Sequence, residues 1–369
     1  MTCAFVTTIR SKSIVPASKT VCTRLSIENL SDILNFLFQQ YLFIHLCTHH
    51  HTMKNDRRQF LNQMSLLAGI AVLSKPMASA AAIGKRINTL SASGNNVTIY
   101  HTNDLHGNLE PTVGNMGGLN QIKTLLEKEE TAGLILDAGD FLNSSHSLQQ
   151  QKQVICAMNT IGYHAAAIGD EELSPGQDHL ASLVPLMRFN LVNCNYGFNT
   201  ELSKHIKPYV IIHSGKFKIG ITGVGHQVEG VTYRDAITSA NQIAGMLKEK
   251  GKCDLVICLS HLGYWQAGDK PDNLKLAAQS EHIDMIISDH NHKLLSGPAI
   301  KLNKLKQEVI ISCTAWDGLM MNRTIFGFEN GKQKSNMRSK HFITGQPYGQ
   351  TFADAFSSLK SIEKQRVSA

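Results

Sequence analysis

Short apolar runs alternate with longer segments that are apolar on one face from about residue 96 onward. The short runs predict buried strands, each followed by glycine or polar residues. These strands lie at 97–101, 134–136, 165–168, 191–192, 254–260, 283–288, 309–314 and 323–328. Apolar residues spaced three or four apart predict helices between them. These helices lie at 118–130, 148–161, 181–187, 239–250 and 274–279.

A tight hairpin interrupts this alternation, because residues 209–213 and 217–222 flank the turn sequence Ser214-Gly215-Lys216. Elsewhere, strands and helices follow one another at the spacing of βα units. The chain is therefore predicted to belong to the α/β class, with mixed sheets covered by helices. A peripheral helix is predicted at 353–362, in a tail that begins near residue 346.

The charge of the chain is concentrated in its first part. The 369 residues carry a formal net charge of +7, with 42% apolar and 18% charged residues, a globular composition. Residues 1–82 hold eight Lys/Arg and three Asp/Glu, a net of +5, so only +2 remains for residues 83–369. The folded part is therefore not expected to bind nucleic acid.

The basic segment has the pattern of an export signal. Met53 opens a stretch with the pair Arg57-Arg58 and then Phe60-Leu61, and a short apolar run and small residues at 78–82 follow. We predict a twin-arginine signal at 53–82, an upstream extension at 1–52, and a periplasmic or other extracytoplasmic protein. The alternative is an apolar core helix after a basic loop. No stable membrane anchor is expected, because the apolar runs are too short or interrupted.

Cysteine usage does not indicate a disulfide framework. Of the eight cysteines, five lie beyond residue 82, an odd number without a C-x-x-C spacing. Cys258 and Cys313 lie inside strand-like runs, and we expect both to be buried core residues.

Candidate chemistry follows the predicted strands. Five of them are followed by aspartate or histidine at their carboxyl ends, where α/β sheets bind ligands. Each such residue alone is more often a turn or capping residue. Together they supply seven oxygen and imidazole donors without a thiolate, a set suited to two Mn²⁺, Fe, Co²⁺ or Zn²⁺ ions. They are Asp104, His106, Asp140, Asp170, His261, His290 and His292.

Four motifs give these residues a family pattern. Thr98-Ile-Tyr-His-Thr-Asn-Asp-Leu-His-Gly107, Leu136-Asp-Ala-Gly-Asp140, Leu259-Ser-His-Leu-Gly263 and His290-x-His292 resemble the calcineurin-like metallophosphoesterases. Their order and spacing are similar to the catalytic domain of the 5′-nucleotidase / UDP-sugar hydrolase branch, over roughly residues 97–330.

This resemblance implies a four-layer α/β/β/α sandwich at 83–345 and hydrolysis of phosphate esters by a water that two divalent ions activate. It also implies that one ion is held by Asp104, His106 and His292, that Asp140 bridges, and that Asp170, His261 and His290 hold the other.

The third family motif is changed in this chain. The family pattern Gly-Asn-His-Glu/Asp-Phe-Asp is replaced by residues 169–174, so Glu171 stands at the position of the catalytic His and Ser174 at that of its partner Asp. Two further carboxylates, Asp170 and Glu171, would cancel the positive charge that two ions and two aspartates leave for phosphate. We therefore expect reduced or altered activity.

Substrate recognition is the second departure. Family nucleotidases carry a further carboxy-terminal domain that stacks the base, and this chain ends about where it would begin. The expected substrate is a small phosphate ester such as a nucleotide, and a separate chain could supply the missing domain. Two alternatives stay open: a catalytically inactive binding or partner protein, and a hydrolase of non-phosphate esters.

Overall fold

The computed structural model describes residues 89–90, 94–288, 290–329 and 332–368. The predicted extension and the predicted signal segment lie outside these residues. Within the described part of the chain, no helix is both long and apolar enough to cross a lipid bilayer.

Strands and helices alternate through the first half of this part, and strands dominate its second half. The strands are β1 (Thr89–Leu90), β2 (Asn96–Thr102), β3 (Leu134–Asp137), β4 (Ala165–Ala166), β5 (Asn190–Leu191), β6 (Tyr196–Gly197), β7 (Tyr209–Ser214), β8 (Phe217–Gly225), β9 (Thr232–Tyr233), β10 (Leu255–His261), β11 (Met285–Ser288), β12 (Ala299–Leu302), β13 (Glu308–Ser312), β14 (Met320–Phe328) and β15 (Lys334–Ile343). The helices are α1 (Gly118–Lys128), α2 (Leu148–Ile161), α3 (Asp170–Leu173), α4 (Gln177–Leu183), α5 (Thr200–Ser203), α6 (Ala236–Glu249), α7 (Asn273–Gln279) and α8 (Phe352–Ser368).

Two mixed sheets organise the fold. One has the order β15-β14-β2-β3-β4-β5, in which β2 to β5 are parallel and β14 and β15 are antiparallel additions. The other has the order β1-β7-β8-β10-β11-β13-β12, with β8, β10, β11 and β13 parallel. The antiparallel pair β7–β8 confirms the predicted hairpin.

The sheets pack face to face because alternate strand residues point to opposite faces. In β10, Leu255, Ile257 and Leu259 join the apolar core between the sheets, which also contains Val97 and Leu136 of the other sheet. The opposite faces of the central strands pack against helices. Tyr100 and Ile135 belong to one core with α1, α2 and α4, and Val256 and Cys258 to another with α6 and α7. The layers therefore run helix, sheet, sheet, helix, and the predicted α/β fold class is confirmed.

Several elements differ from their predicted bounds. The helix predicted at 181–187 is α4, which ends at Leu183, and a 3₁₀ turn at Val184–Leu186 follows because Pro185 cannot continue the α-helical hydrogen bonds. The sequence pattern missed the strands β12 and β15, and also the two-residue strands β1, β6 and β9. The predicted tail helix is longer than expected, and α8 buries Ala355 and Leu359 in a core with Trp316. Cys258 and Cys313 are fully buried, as predicted.

Candidate metal centre

The carboxyl ends of strands from both sheets meet at one edge of the sandwich. Residues Asp104 and His106 follow β2, Asp140 follows β3, and Asp170 opens α3 shortly after β4. From the other sheet, β10 ends at His261, and β11 is followed by His290 and His292. Since parallel strands deliver their carboxyl ends to the same edge, residues far apart in sequence are brought together here.

Among the residues that the structure describes, three groups of side chains lie close enough to hold metal ions. In each group the donor atoms lie within 4.8 Å of one another. The groups are Asp104, His106 and His292; Asp104, Asp140 and His261; and Asp170, His226 and His290. The structure thus brings together all seven ligands predicted from the sequence, and Asp104 connects the first two groups.

His226 is the one member of these groups that the sequence interpretation missed. It directly follows β8, which runs to Gly225, three residues beyond the predicted end of the hairpin strand at Thr222. With the correct strand end, the rule that identified the other ligands would have found His226 as well.

The backbone at these positions is strained. Outside glycine, nine described residues have positive φ, a conformation that side chains with a Cβ rarely adopt. Six of them belong to this edge: Asp104, His106, Asp140, His290, His292 and Asp317, with φ between 47° and 131°. Such strain persists where surrounding structure enforces it, and it is typical of functional sites.

Hydrogen bonds fix which ring nitrogen two histidines present to the centre. Nδ1 of His261 lies 3.2 Å from the carbonyl oxygen of Ala138, and Nδ1 of His106 lies 2.7 Å from Oδ1 of Asp317. Because these oxygens accept, both Nδ1 atoms carry a proton, so Nε2 is the nitrogen through which each ring would bind a metal ion. Histidines that bind metals are oriented in this way. The role of Asp317 was not predicted from the sequence.

Buried polar atoms at the centre also fit cations. Oδ1 of Asp170 and Nε2 of His261 are inaccessible to solvent and make no well-formed hydrogen bond within the described residues. Nε2 of His261 nevertheless lies 3.1 Å from Oδ2 of Asp140. Burying such atoms without partners is costly, and a shared metal ion would satisfy them. The residues present therefore fit the predicted metal centre.

Burial and neighbouring charges shift the pKa values of several groups at the centre. Burial raises the pKa of Asp140, but attraction to His261 outweighs it and holds this pKa well below its ordinary value. Conversely, burial lowers the pKa of His261, but Asp140, Asp104 and Asp170 together raise it well above the ordinary value. Burial, with repulsion from Asp140, raises the pKa of the neighbouring Glu172 to about 8. Three carboxylates thus act on the buried imidazole of His261, an arrangement of negative charge that bound metal ions would balance.

Glu172 supports the loop that carries Asp140. Its carboxylate accepts hydrogen bonds from the backbone amides of Asp140, Leu142 and Gly169, at 3.0, 2.8 and 2.8 Å. The side chain is 1% exposed. Glu172 thus stabilises both the loop after β3 and the start of α3, although sequence reasoning gave it no function.

Glu171 and Ser174, which replace the His and Asp of the family motif, lie in different environments. The backbone amide of Glu171 donates to Oδ1 of Asp140 at 2.9 Å, and its carboxylate accepts from the amide of Ser144 at 2.5 Å. Ser174 is exposed, and its amide closes the turn of α3 on the carbonyl oxygen of Asp170. Glu171 is therefore beside the centre, held by a loop contact, while Ser174 faces solvent.

A cavity of about 610 Å³ opens beside the third group of donors. His226 and His290 form part of its wall, and Tyr233, Gln266 and Lys270 line the remainder with neighbouring residues. Its size suits a small organic molecule. A substrate in this cavity would reach the metal centre from the side of His226 and His290.

Comparison with known proteins agrees with this geometry. The family model described as calcineurin-like phosphoesterase matches residues 97–294, which is more than half of the chain. The chain belongs to the calcineurin-like phosphoesterase family. Members of this family are hydrolases that act on phosphate-ester bonds, and the predicted family resemblance is confirmed.

The relatives of this phosphoesterase include nucleotidases. A 5′-nucleotidase of Vibrio cholerae is 26% identical over 285 residues, covering 67% of this chain and 51% of that protein. A snake venom 5′-nucleotidase of Gloydius brevicauda is 26% identical over 237 residues, covering 56% of this chain and 39% of that protein. The chain thus spans about half the length, or less, of these curated relatives.

Solved structures share the fold. The 5′-nucleotidase precursor of Thermus thermophilus aligns with a TM-score of 0.60 at 23% identity, covering 74% of this chain and 59% of that one. The calcineurin-like phosphoesterase YfkN of Bacillus subtilis aligns with a TM-score of 0.56 at 21% identity, covering 74% of this chain and 97% of that one. These alignments support the arrangement of two packed sheets described above.

Proposed function

We propose that the protein hydrolyses small phosphate esters, in the manner of a 5′-nucleotidase, at a centre of two divalent metal ions. The observation that carries this proposal is the convergence of Asp104, Asp140 and Asp170 with the surrounding histidines at one sheet edge, in groups with metal-ligand separations. Bound there, two divalent ions would activate a water and neutralise charge on the phosphoryl group.

The protein side chains have distinct parts in this proposal. Asp104, His106 and His292 would hold one ion, and Asp170, His261 and His290 the other. Asp140 would be shared by the two ions, and this is supported by its membership of one group with Asp104 and by the 3.1 Å between its Oδ2 and Nε2 of His261. The metals suited to this donor set are Mn²⁺, Zn²⁺, Fe and Co²⁺.

The changed third motif leads us to propose slow turnover. A general acid contributes about 10²–10⁴-fold to the rate of such reactions. Glu171 stands where the family has histidine, and its carboxylate is engaged by the amide of Ser144 rather than directed by Ser174. Esters with good leaving groups need the least protonation, so we expect them to be hydrolysed fastest.

Nucleotides are the substrate class that we propose, because the similar proteins include nucleotidases. Lys270 and Tyr233 in the cavity beside the centre offer a cation and an aromatic ring to the organic part of a nucleotide. We further propose that a separate chain could contribute base recognition of the kind that the base-stacking domain of the family provides.

Export by the twin-arginine pathway is also proposed. It rests on Arg57-Arg58, the apolar run that follows and the small residues near Ala80. We expect the mature protein in an extracytoplasmic fraction, with an amino terminus close to residue 83. Amino-terminal sequencing of that fraction checks this, and a terminus before Met53 would contradict the proposed signal.

Activity is tested by phosphate release from AMP, a UDP-sugar, a 2′,3′-cyclic nucleotide and an aryl phosphate, with and without added Mn²⁺. We expect metal-dependent turnover that Asp140→Asn abolishes, because this change removes a charge from the shared carboxylate while keeping its shape. The aryl phosphate should be hydrolysed fastest.

The same measurement distinguishes the alternatives. Turnover no higher than that of Asp140→Asn, from protein that binds two ions, would favour a metal-binding partner protein without catalysis. Hydrolysis of a sulfate ester or a thioester, but of no phosphate ester, would instead favour a non-phosphate esterase.

A further inference from the structure

We propose that His226 is an additional protein ligand of the metal ion held by Asp170, His261 and His290. The proposal rests on the proposed two-metal function. It extends that function, because the family resemblance assigns no role to His226. The observation behind it is that the donor atoms of His226, Asp170 and His290 lie within 4.8 Å of one another.

The sheet fixes the position of His226 relative to a predicted ligand. Strands β8 and β10 are parallel, and Gly225 is the register partner of His261. The next residue, His226, donates its backbone amide to the carbonyl oxygen of His261 at 3.3 Å. The two histidines are therefore held at the same edge by the ends of adjacent strands.

The same carbonyl oxygen fixes the orientation of the His226 ring. Nδ1 lies 3.1 Å from this oxygen. A carbonyl can only accept a hydrogen bond, so Nδ1 carries the proton and Nε2 is the nitrogen available to a ligand. This arrangement repeats that of His261, whose Nδ1 faces the carbonyl oxygen of Ala138. Metal-binding histidines are commonly fixed through their second nitrogen in this way.

The other ring nitrogen of His226, Nε2, lies beside a buried carboxylate oxygen that a bound cation would satisfy. Nε2 of His226 lies 3.3 Å from Oδ1 of Asp170, a buried oxygen with no well-formed hydrogen bond within the described residues. Nε2 of His261 lies 4.0 Å from the same oxygen. Two ligand atoms about 2.1 Å from one ion lie about 3.0–3.4 Å apart in octahedral or tetrahedral geometry. The separation from His226 to Asp170 falls in this range.

The neighbouring imidazole is arranged compatibly. The rings of His226 and His290 lie with their centroids 4.1 Å apart and their planes inclined by 36°. Nδ1 of His290 lies 3.8 Å from the other oxygen of Asp170. The two rings thus lie side by side, each with a nitrogen near the Asp170 carboxylate. A third imidazole at this position favours Zn²⁺, Fe or Co²⁺ over Mn²⁺.

The test compares metal binding in wild-type protein and two variants. Purified metal-free protein is titrated with Zn²⁺ and with Mn²⁺ against a chromophoric chelator. We expect two ions in wild type, and a loss of about 10-fold or more in the affinity of one of them in His226→Ala. The exposed strand residue His213 provides the matched control, since His213→Ala should bind both ions like wild type.

A second readout reports the ligand itself. Pulsed electron paramagnetic resonance of Mn²⁺-loaded protein detects imidazole nitrogens coupled to the metal, and we expect this coupling to fall in His226→Ala. His226→Gln keeps a side-chain donor for the carbonyl of His261 and guards against misfolding. It should show the same loss of affinity with an unchanged circular dichroism spectrum.

The outcomes separate this proposal from the proposed function, because no substrate is used. Unchanged affinities and nitrogen couplings in both His226 variants would overturn the proposal, even if turnover fell, since His226 would then act on substrate alone. Loss of one affinity in a protein that hydrolyses no ester would sustain the role of His226 and reject the enzymatic function.

Discussion

At the residue scale, the most informative positions are those where this chain lacks the family side chains. We predict that the double change Glu171→His and Ser174→Asp raises hydrolysis of AMP about 10-fold or more, because it restores an imidazole and the carboxylate that orients it. It also moves a negative charge from position 171, beside the centre, to the exposed position 174. Steady-state rates with saturating Mn²⁺ measure the effect, with bound metal determined in parallel.

A control separates acid catalysis from charge. Glu171→Gln removes the charge without supplying an imidazole, and it should raise the rate less than the double variant does. If the double variant binds two ions but is no faster than wild type, the account of the third motif is wrong.

Sequence reasoning identified the candidate ligands, which follow strands. It missed the residues that position those ligands through hydrogen bonds. The seven predicted donors could be identified because apolar runs mark the strands that precede them, and they converge because the carboxyl ends of these strands meet at one edge. Asp317 follows the strand predicted at 309–314, but it was not selected, because its contact is with a predicted ligand: its Oδ1 lies 2.7 Å from Nδ1 of His106. Glu172 is buried, and three backbone amides donate to its carboxyl oxygens, which its neighbours in the sequence do not reveal. Such contacts arise from tertiary structure, and no periodicity in the sequence encodes them.

At the element scale, the turn between β4 and α3 determines how closely this turn approaches the loop after β3 that carries Asp140. A Cβ added at Gly169 would lie 2.1 Å from Oδ1 of Asp140, which is far inside any real contact. We predict that Gly169→Ala displaces Asp140 and lowers metal affinity by about 10-fold or more. Metal titration, with a circular dichroism spectrum to verify folding, measures this.

Gly297 is the matched control for this change. A Cβ at Gly297 meets no atom within 4 Å, and its φ is not positive, so Gly297→Ala should bind metal like wild type. Equal affinities in both alanine variants would show that the loops tolerate a wider separation than the structure indicates.

The two longer strands that the sequence pattern missed, β12 and β15, are exposed edge strands. In β12 the residues Ile300 and Leu302 are more than half exposed, and β15 is mostly exposed over its first seven residues. A strand appears as an apolar run in the sequence only when its side chains are buried, as in β10, where every residue is buried. Edge strands are stabilised by backbone pairing with β13 and β14, to which side-chain pattern contributes little.

At the scale of the whole molecule, stability depends on neutral histidines inside the sheet that carries Asp140. His164, between α2 and β4, is 4% exposed, and burial lowers its pKa to about 4. The backbone amide of Ile135 in β3 donates to Nδ1 of His164 at 3.1 Å, so this nitrogen must keep its lone pair. Protonation of His164 would break a contact that joins β3 to the loop before β4.

This arrangement predicts loss of stability in acid. Above pH 6.5 His164 is neutral in both the folded and the unfolded protein, so it does not change the free energy of unfolding. Between pH 6.5 and 4 the unfolded chain binds a proton at His164 and the folded protein does not. The free energy of unfolding should therefore fall by about 3 kcal/mol across this window through His164 alone. His101, whose pKa burial lowers to about 3, adds to the same slope.

Urea denaturation from pH 7 to pH 4, with a chelator present so that metal release does not contribute, measures this slope. His164→Asn retains an acceptor near the position of Nδ1 but does not titrate. It should be less stable at pH 7 and lose less stability on acidification than wild type, and the remaining pH dependence then comes from other buried groups such as His101 and Glu172. Replacing the exposed His213 by asparagine should leave the slope of wild type unchanged. A wild-type slope in His164→Asn would mean that the sheet carrying Asp140 admits a proton at His164, and the acid sensitivity of the fold would then have to arise elsewhere.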